Sequence, residues 1–157
     1  MSMPERLIGV TVGADQVNVV LLEKDSPDAF RLDDETTLHL QEGPRPVAYN
    51  VLYGQFHDYI QQRRATRVCI KGSAVSLGGT KLPQLHAAEL RGVVQAAAAG
   101  AGVEVRTATK SVTSRTFGTR KVDEYLKDNE YWKTIGLADL KKGLREAAFA
   151  AISGSSV

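Results

Sequence analysis

Leu7-Ile8-Gly9-Val10-Thr11-Val12 and Val17-Asn18-Val19-Val20-Leu21-Leu22 are the two runs whose reading decides the fold. Both are short, apolar and rich in β-branched residues, and Gly13 and Asp15 lie between them. That pattern predicts two antiparallel strands joined by a tight glycine-containing turn. After Asp25-Ser26-Pro27-Asp28 a third strand is expected within Phe30–Leu40, although Asp33-Asp34-Glu35 interrupts its pattern.

Downstream the hydrophobic period changes. Tyr49, Leu52, Phe56, Tyr59 and Ile60 recur at helical spacing and predict a helix over about 47–64. Arg67-Val68-Cys69-Ile70-Lys71 reads as a fourth strand, followed by a flexible Gly72–Lys81 segment. Pro83 suits the first turn of a second helix, expected to run through Leu85, Leu90, Val93 and Val94 to Gly100. Val103-Glu104-Val105-Arg106-Thr107 gives a fifth strand. One or two helical pieces are expected in 108–133, with Val122, Tyr125 and Leu126 as buried contacts. A last helix over about 137–152 would align Leu137, Leu140, Leu144, Ala148, Ala151 and Ile152, and Gly154-Ser155-Ser156 reads as a frayed tail. Three strands followed by helix-strand alternation imply an α/β fold: a mixed five-stranded sheet with helices on both faces.

A length of 157 residues suits a single domain spanning 1–157, large enough to bury a core without a disulfide or metal staple. The only cysteine, Cys69, sits in an apolar strand and reads as a small buried hydrophobe. Met1–Arg6 lacks the pattern of a secretory signal, and no apolar run approaches the ~18 residues of a spanning helix. The expectation is a cytoplasmic protein with no membrane association.

Charge is unevenly placed. Residues 1–50 carry four Lys/Arg against nine Asp/Glu, whereas residues 51–122 carry eleven against three. The basic middle either forms one positive face or disperses as solvated surface charge. Gly72–Lys81 contains glycines, serines and a lysine but misses the register of a phosphate-binding loop. His39, His57 and His86 have no metal-ligand spacing, and Ser111 and Ser114 have no adjacent base. No cofactor, metal or catalytic residue is therefore assigned. Tyr49, Phe56 and Tyr59 read as core; Tyr125, Tyr131 and Trp132 read as a packed hinge or subunit contact rather than a base-stacking platform.

The order of elements, opening on Ile8-Gly9-Val10-Thr11-Val12-Gly13, resembles the ribonuclease-H-like superfamily, most of all the branch of RuvC-type Holliday-junction resolvases and their bacterial relatives. The resemblance covers roughly residues 6–152 and rests on element order more than on single motifs. It implies a catalytic aspartate near the position of Thr11, a glutamate where Lys71 ends the fourth strand, and one or two acids in the last helix, which here reads Leu140-Lys141-Lys142-Gly143-Leu144-Arg145-Glu146. Ala108–Thr113 is similar to the family's stretch after the fifth strand, with Lys110 at a basic position.

Two-metal phosphodiester chemistry needs several converging carboxylates. Threonine and lysine do not supply them. The reading that fits is a catalytically degenerate module binding DNA or RNA phosphates, or a nucleic-acid-associated complex, through Lys71, Lys81, Lys110, Arg115, Arg120 and Lys121. The alternatives are a divalent-metal-dependent nuclease using displaced acids (Asp15, Asp139 and Glu146) and a homodimeric interaction scaffold. Dimerisation enters through the resemblance, because resolvases of this kind commonly work as dimers.

Overall fold

The computed structural model describes residues 4–27, 29–72, 81–108 and 122–155. The strands are β1 (Glu5–Val12), β2 (Gln16–Ser26), β3 (Ala29–His39), β4 (Arg67–Lys71) and β5 (Glu104–Ala108). The helices are α1 (Arg45–Gln62), α2 (Leu82–Gly100), α3 (Val122–Lys127), α4 (Asn129–Thr134) and α5 (Arg145–Ser155), with a 3-10 turn at Lys142–Leu144. The sheet order is β3-β2-β1-β4-β5. β1 and β3 each run antiparallel to β2, while β4 runs parallel to both β1 and β5. The expected hairpin forms, closed where the Gly13 N–H donates to the Gln16 carbonyl at 2.9 Å. The mixed five-stranded α/β sheet is as the sequence predicts.

Side chains alternate across the strands, so the central sheet feeds two cores. On one face Ile8, Val10, Val19, Val68 and Ile70 pack with Leu52 and Phe56 of α1 and with Leu90 and Val94 of α2. On the other face Leu7, Val20 and Leu22 pack with Trp132 of α4 and with Ala147, Phe149 and Ala151 of α5. β1 is covered on both sides, which is why it reads as an unbroken apolar run.

The acids that interrupt β3 do not end it, because each has a partner in the fold. Asp33 accepts from Arg6 at 2.7 Å, Asp34 from the Tyr59 hydroxyl at 2.7 Å, and Glu35 lies 3.9 Å from the Lys141 ammonium. Burial and that acidic partner raise the Tyr59 pKa.

Several expectations need correction. The sheet-facing stripe of α1 is Ala48, Leu52, Phe56 and Ile60. Tyr49 and Tyr59 are only half-buried because their hydroxyls reach Glu89 and Asp34. The second helix runs through Leu85 to Gly100 as expected, with Leu85 pointing outward at 50% exposure. The last helix is not continuous from 137: extended backbone at Lys141 (φ −62°, ψ 138°) separates a turn from the 3-10 segment and α5. Leu137, Leu140 and Leu144 are buried nonetheless. Tyr125 is buried as expected, and Trp132 joins it in the core: the Trp132 ring meets Phe149 edge-on at 5.1 Å and its N–H donates to the Tyr125 carbonyl at 2.9 Å.

Gly154 and Ser155 are helical and buried, not frayed. The cause is close contact between α5 and the sheet. A Cβ at Gly9 would lie 1.8 Å from the Ala147 carbonyl oxygen, and one at Gly154 would lie 2.1 Å from the Cys69 sulfur. Arg67 and Arg106 also donate to the Gly154 carbonyl at 3.0 and 2.8 Å, satisfying a helix-end acceptor. Among the described residues no helix is long and apolar enough to cross a membrane.

Candidate functional site at the ends of β1 and β4

Close seating of α5 brings together the ends of β1, β4 and the first turn of that helix. Gly9 and Cys69 are paired neighbours on the α5 side of the sheet. Two residues further on, alternation puts Thr11 and Lys71 side by side on that same side. Glu146 stands in the first turn of α5, where the helix dipole favours a carboxylate. Its carboxylate accepts a hydrogen bond from the Lys71 ammonium. Both side chains are about 40% exposed (39% and 42%), so the pair forms a partly solvated floor rather than a buried bridge.

A neutral polar ladder continues across the sheet. The Asn18 amide donates to the Thr11 hydroxyl at 3.3 Å and accepts from the Thr37 hydroxyl at 3.0 Å. β1, β2 and β3 therefore present hydroxyl, amide and hydroxyl beside the ion pair. Asn18 was legible only as one polar residue in an apolar run, and its partners were not.

The other sequence-predicted residues either make no hydrogen bond or ion pair with Thr11, Lys71 or Glu146 or lie outside the described residues. Lys81 caps α2: its backbone N–H donates to the Gln84 side chain at 3.0 Å, and the residue is exposed. Lys110, Arg115, Arg120 and Lys121 lie outside the described residues. Asp15 sits in the β1–β2 turn, 76% exposed, and is held by Arg45 at 2.9 Å. Asp139 is exposed in the turn before the 3-10 segment. Glu146 is committed to Lys71. Among the described residues no group of three or more His, Cys, Asp or Glu side chains is placed to hold a metal ion.

Comparison of the sequence with protein-family profiles and with curated proteins finds no match. Solved structures do match. Thermus thermophilus RuvC superposes with a TM-score of 0.75 at 15% identity, over 96% of this chain and 93% of that one. T. thermophilus RuvC in complex with Holliday junction substrate gives 0.74 at 14% identity, over 96% and 92%. The yeast mitochondrial Holliday junction resolvase Ydc2 gives 0.63 at 12% identity, over 95% and 77%. The fold is ribonuclease-H-like. At these identities the likeness concerns the fold alone.

A ribonuclease-H-like nuclease is expected to gather carboxylates where this chain has Thr11, Lys71 and Glu146. Those residues do not fit a divalent ion. One carboxylate remains, a fixed ammonium already neutralises it, and threonine is a weak neutral ligand for a hard cation.

Proposed function

We propose that this chain is a ribonuclease-H-like module that binds nucleic acid, or a complex engaged with it, without cutting the strand. The observation that carries this reading is the Lys71–Glu146 pair beside Thr11. Hydrolysis assisted by two metals needs carboxylates that hold ions on both sides of the scissile phosphate. Here a single protein cation occupies the one acid. An ammonium has three donors, so Lys71 can hold Glu146 and still turn a proton towards a phosphate oxygen. The basic stretch 51–122 supplies further cations, Lys81, Lys110, Arg115, Arg120 and Lys121 among them. The Holliday junction named for the T. thermophilus structure makes branched DNA the first ligand to test.

Fluorescence anisotropy with four-way junction DNA, duplex DNA and single-stranded RNA tests the proposal. Binding should be present at low salt and weaken as salt rises, with a slope of about −0.7 to −0.9 per neutralised phosphate. Replacing Lys71, Lys110 and Arg115 together with alanine should flatten that slope by about two to three. No binding to any ligand at low salt overturns the nucleic-acid reading. Cleavage with Mg²⁺ or Mn²⁺ that is abolished by Asp15→Asn or Asp139→Asn would install the displaced-acid nuclease instead.

A further inference from the structure

Helix α1 ends differently from its neighbours. Arg63 closes it and Arg64 follows with φ 55°. The Arg64 N–H donates to the Gln61 carbonyl and the Ala65 N–H to the Ile60 carbonyl, both at 3.2 Å. This is the helix-ending motif whose left-handed position favours glycine, because a Cβ there crowds the backbone. Two other helices of the chain obey that preference: Gly102 (φ 83°) follows the cap of α2 and Gly136 (φ 92°) that of α4. Among the described residues Arg64 is the one non-glycine at positive φ. Its side chain is exposed and makes no hydrogen bond or ion pair. A strained position that carries a long cation with nothing to hold is not accounted for by folding, and strain of this kind gathers at functional sites.

That cation borders an open cleft of about 370 Å³, lined by Pro4, Arg6, Glu23, Gln62, Arg63 and Arg64. The cleft lies at the start of β1, and about 17 Å of extended strand separates Arg6 from Thr11 beside the Lys71–Glu146 pair. We propose that the cleft binds a phosphate monoester between Arg63 and Arg64, independently of the Lys71 site. Arg6 has a different task, because the fold uses all of it. Its Nε donates to the Arg63 carbonyl at 2.8 Å, its Nη2 to Asp33 at 2.7 Å and its backbone N–H to the Thr66 hydroxyl at 3.1 Å. The Thr66 N–H returns to the Arg6 carbonyl at 2.8 Å. These bonds pin the 63–66 backbone onto β1, which makes Arg6 a positioning residue. Arg63 is held loosely: its Nη2 lies 3.4 Å from an Asp34 oxygen that already accepts from the Tyr59 hydroxyl at 2.7 Å.

Charge and shape select the ligand. The one acid on the wall, Glu23, is engaged by Arg31 at 2.6 Å and faces Arg6 at 3.6 Å, so it is already balanced. What the cleft offers to solvent is two adjacent guanidiniums on a fixed backbone, each a planar fork of donors matched to a pair of phosphate oxygens. The Gln62 amide adds a neutral donor beside them. The volume stands at the low end of small-ligand clefts, which suits one terminal phosphate and the group that bears it rather than a duplex. Such a phosphate comes from a free nucleotide or from the 5′ end of a strand.

Isothermal titration calorimetry of the full chain with AMP and with a 5′-phosphorylated dinucleotide tests the site, with adenosine as the uncharged control. AMP should bind saturably at one site and adenosine should not. Arg64→Gly should weaken AMP binding by about tenfold or more. The same change should raise the melting temperature by about 2–4 °C, because glycine relieves the left-handed strain. Stability gained as binding is lost is a result that a purely structural arginine does not give. Lys142→Ala removes one exposed charge from the 3-10 turn that leads into α5, and should leave AMP binding unchanged. Tighter binding of the dinucleotide than of AMP supports a strand end as the source of the phosphate, and equal binding supports a free nucleotide. The proposal is overturned by no saturation below about 10 mM AMP. It is equally overturned by an Arg64→Gly variant that binds as the parent does or melts lower, or by equal losses in Arg64→Gly and Lys142→Ala.

Discussion

The Lys71 ammonium at the end of β4 is hydrogen-bonded to the Glu146 carboxylate in the first turn of α5. This pair links sheet and helix at the point where the fold brings the end of β1 to both. Because each side chain is about 40% exposed (39% and 42%), solvent screens the attraction, and Lys71→Ala should lower stability by less than about 1 kcal/mol. Lys71→Glu acts differently, because it sets two carboxylates against each other. That variant should melt lower than Lys71→Ala, and Mg²⁺ should raise its midpoint while leaving the native chain unmoved. Thermal scans with and without Mg²⁺ check this. A native chain that gains stability from Mg²⁺ would mean that carboxylates of the folded protein bind metal after all.

Gly9 and Gly154 are the positions where α5 comes closest to the sheet. At Gly9 a methyl group would meet the Ala147 carbonyl at 1.8 Å, and backbone cannot swing aside as a side chain does. Gly9→Ala should therefore destabilise by more than about 3 kcal/mol, or prevent folding. At Gly154 the obstacle is a side-chain sulfur at 2.1 Å, with the Cys69 Cβ behind it at 2.9 Å. Gly154→Ala should be severe alone and partly relieved by Cys69→Ala. A double-mutant cycle in urea should give a favourable coupling of about 1 kcal/mol or more. Strict additivity would contradict the contact.

These contacts also explain what the sequence could and could not convey. Strands β1, β2 and β4 were legible because a strand buried on two faces writes a continuous apolar run. Thr11 and Lys71 stood out against the resemblance, since each is a residue type unsuited to metal binding. What stayed hidden was pairing between distant segments: 75 residues separate Lys71 from Glu146, and their spacing says nothing of their contact. Helical periodicity located α2 but did not say which surface its apolar Leu85 meets, and that side chain faces outward. Gly154-Ser155 looked like a tail because a tightly packed glycine and a flexible one have the same sequence signature.

Arg145 is a second place where the fold relies on a polar group among apolar neighbours. It is buried, donates to the Leu126 carbonyl at 2.9 Å and to the Asn129 side chain at 2.9 Å, and lies over Trp132 at 5.6 Å. A planar guanidinium reaches two acceptors and stacks on an indole at once; a lysine ammonium does not. Arg145→Lys should therefore destabilise by about 2–3 kcal/mol despite keeping the charge. Arg145→Met should be no worse, since it removes the buried charge while leaving the acceptors unmet. Urea unfolding followed by Trp132 fluorescence measures both. A lysine variant as stable as the parent would show that charge alone matters there.

Cys69 supplies a pH test of α5 packing. Burial pushes its thiol up to about 11, against an ordinary value near 9, with Arg67 and Arg106 opposing the rise. A raised folded-state value means that the native protein holds this proton more tightly than the unfolded chain does. Its contribution is intact below pH 9 and is lost as pH climbs from about 9 to 11, by roughly 2–3 kcal/mol at most. Other groups titrate in that range, so the measurement is a difference: urea midpoints at pH 8 and pH 11 for the parent and for Cys69→Ala. The alanine variant should lose less stability than the parent on going to high pH. The same burial should keep Cys69 unreactive towards alkylating reagents at neutral pH until the chain unfolds, whereas Gly154→Ala, by loosening the helix above the sulfur, should speed its labelling. Equal slopes for parent and alanine variant, together with fast native-state labelling, would mean that α5 does not seal the sheet at this end.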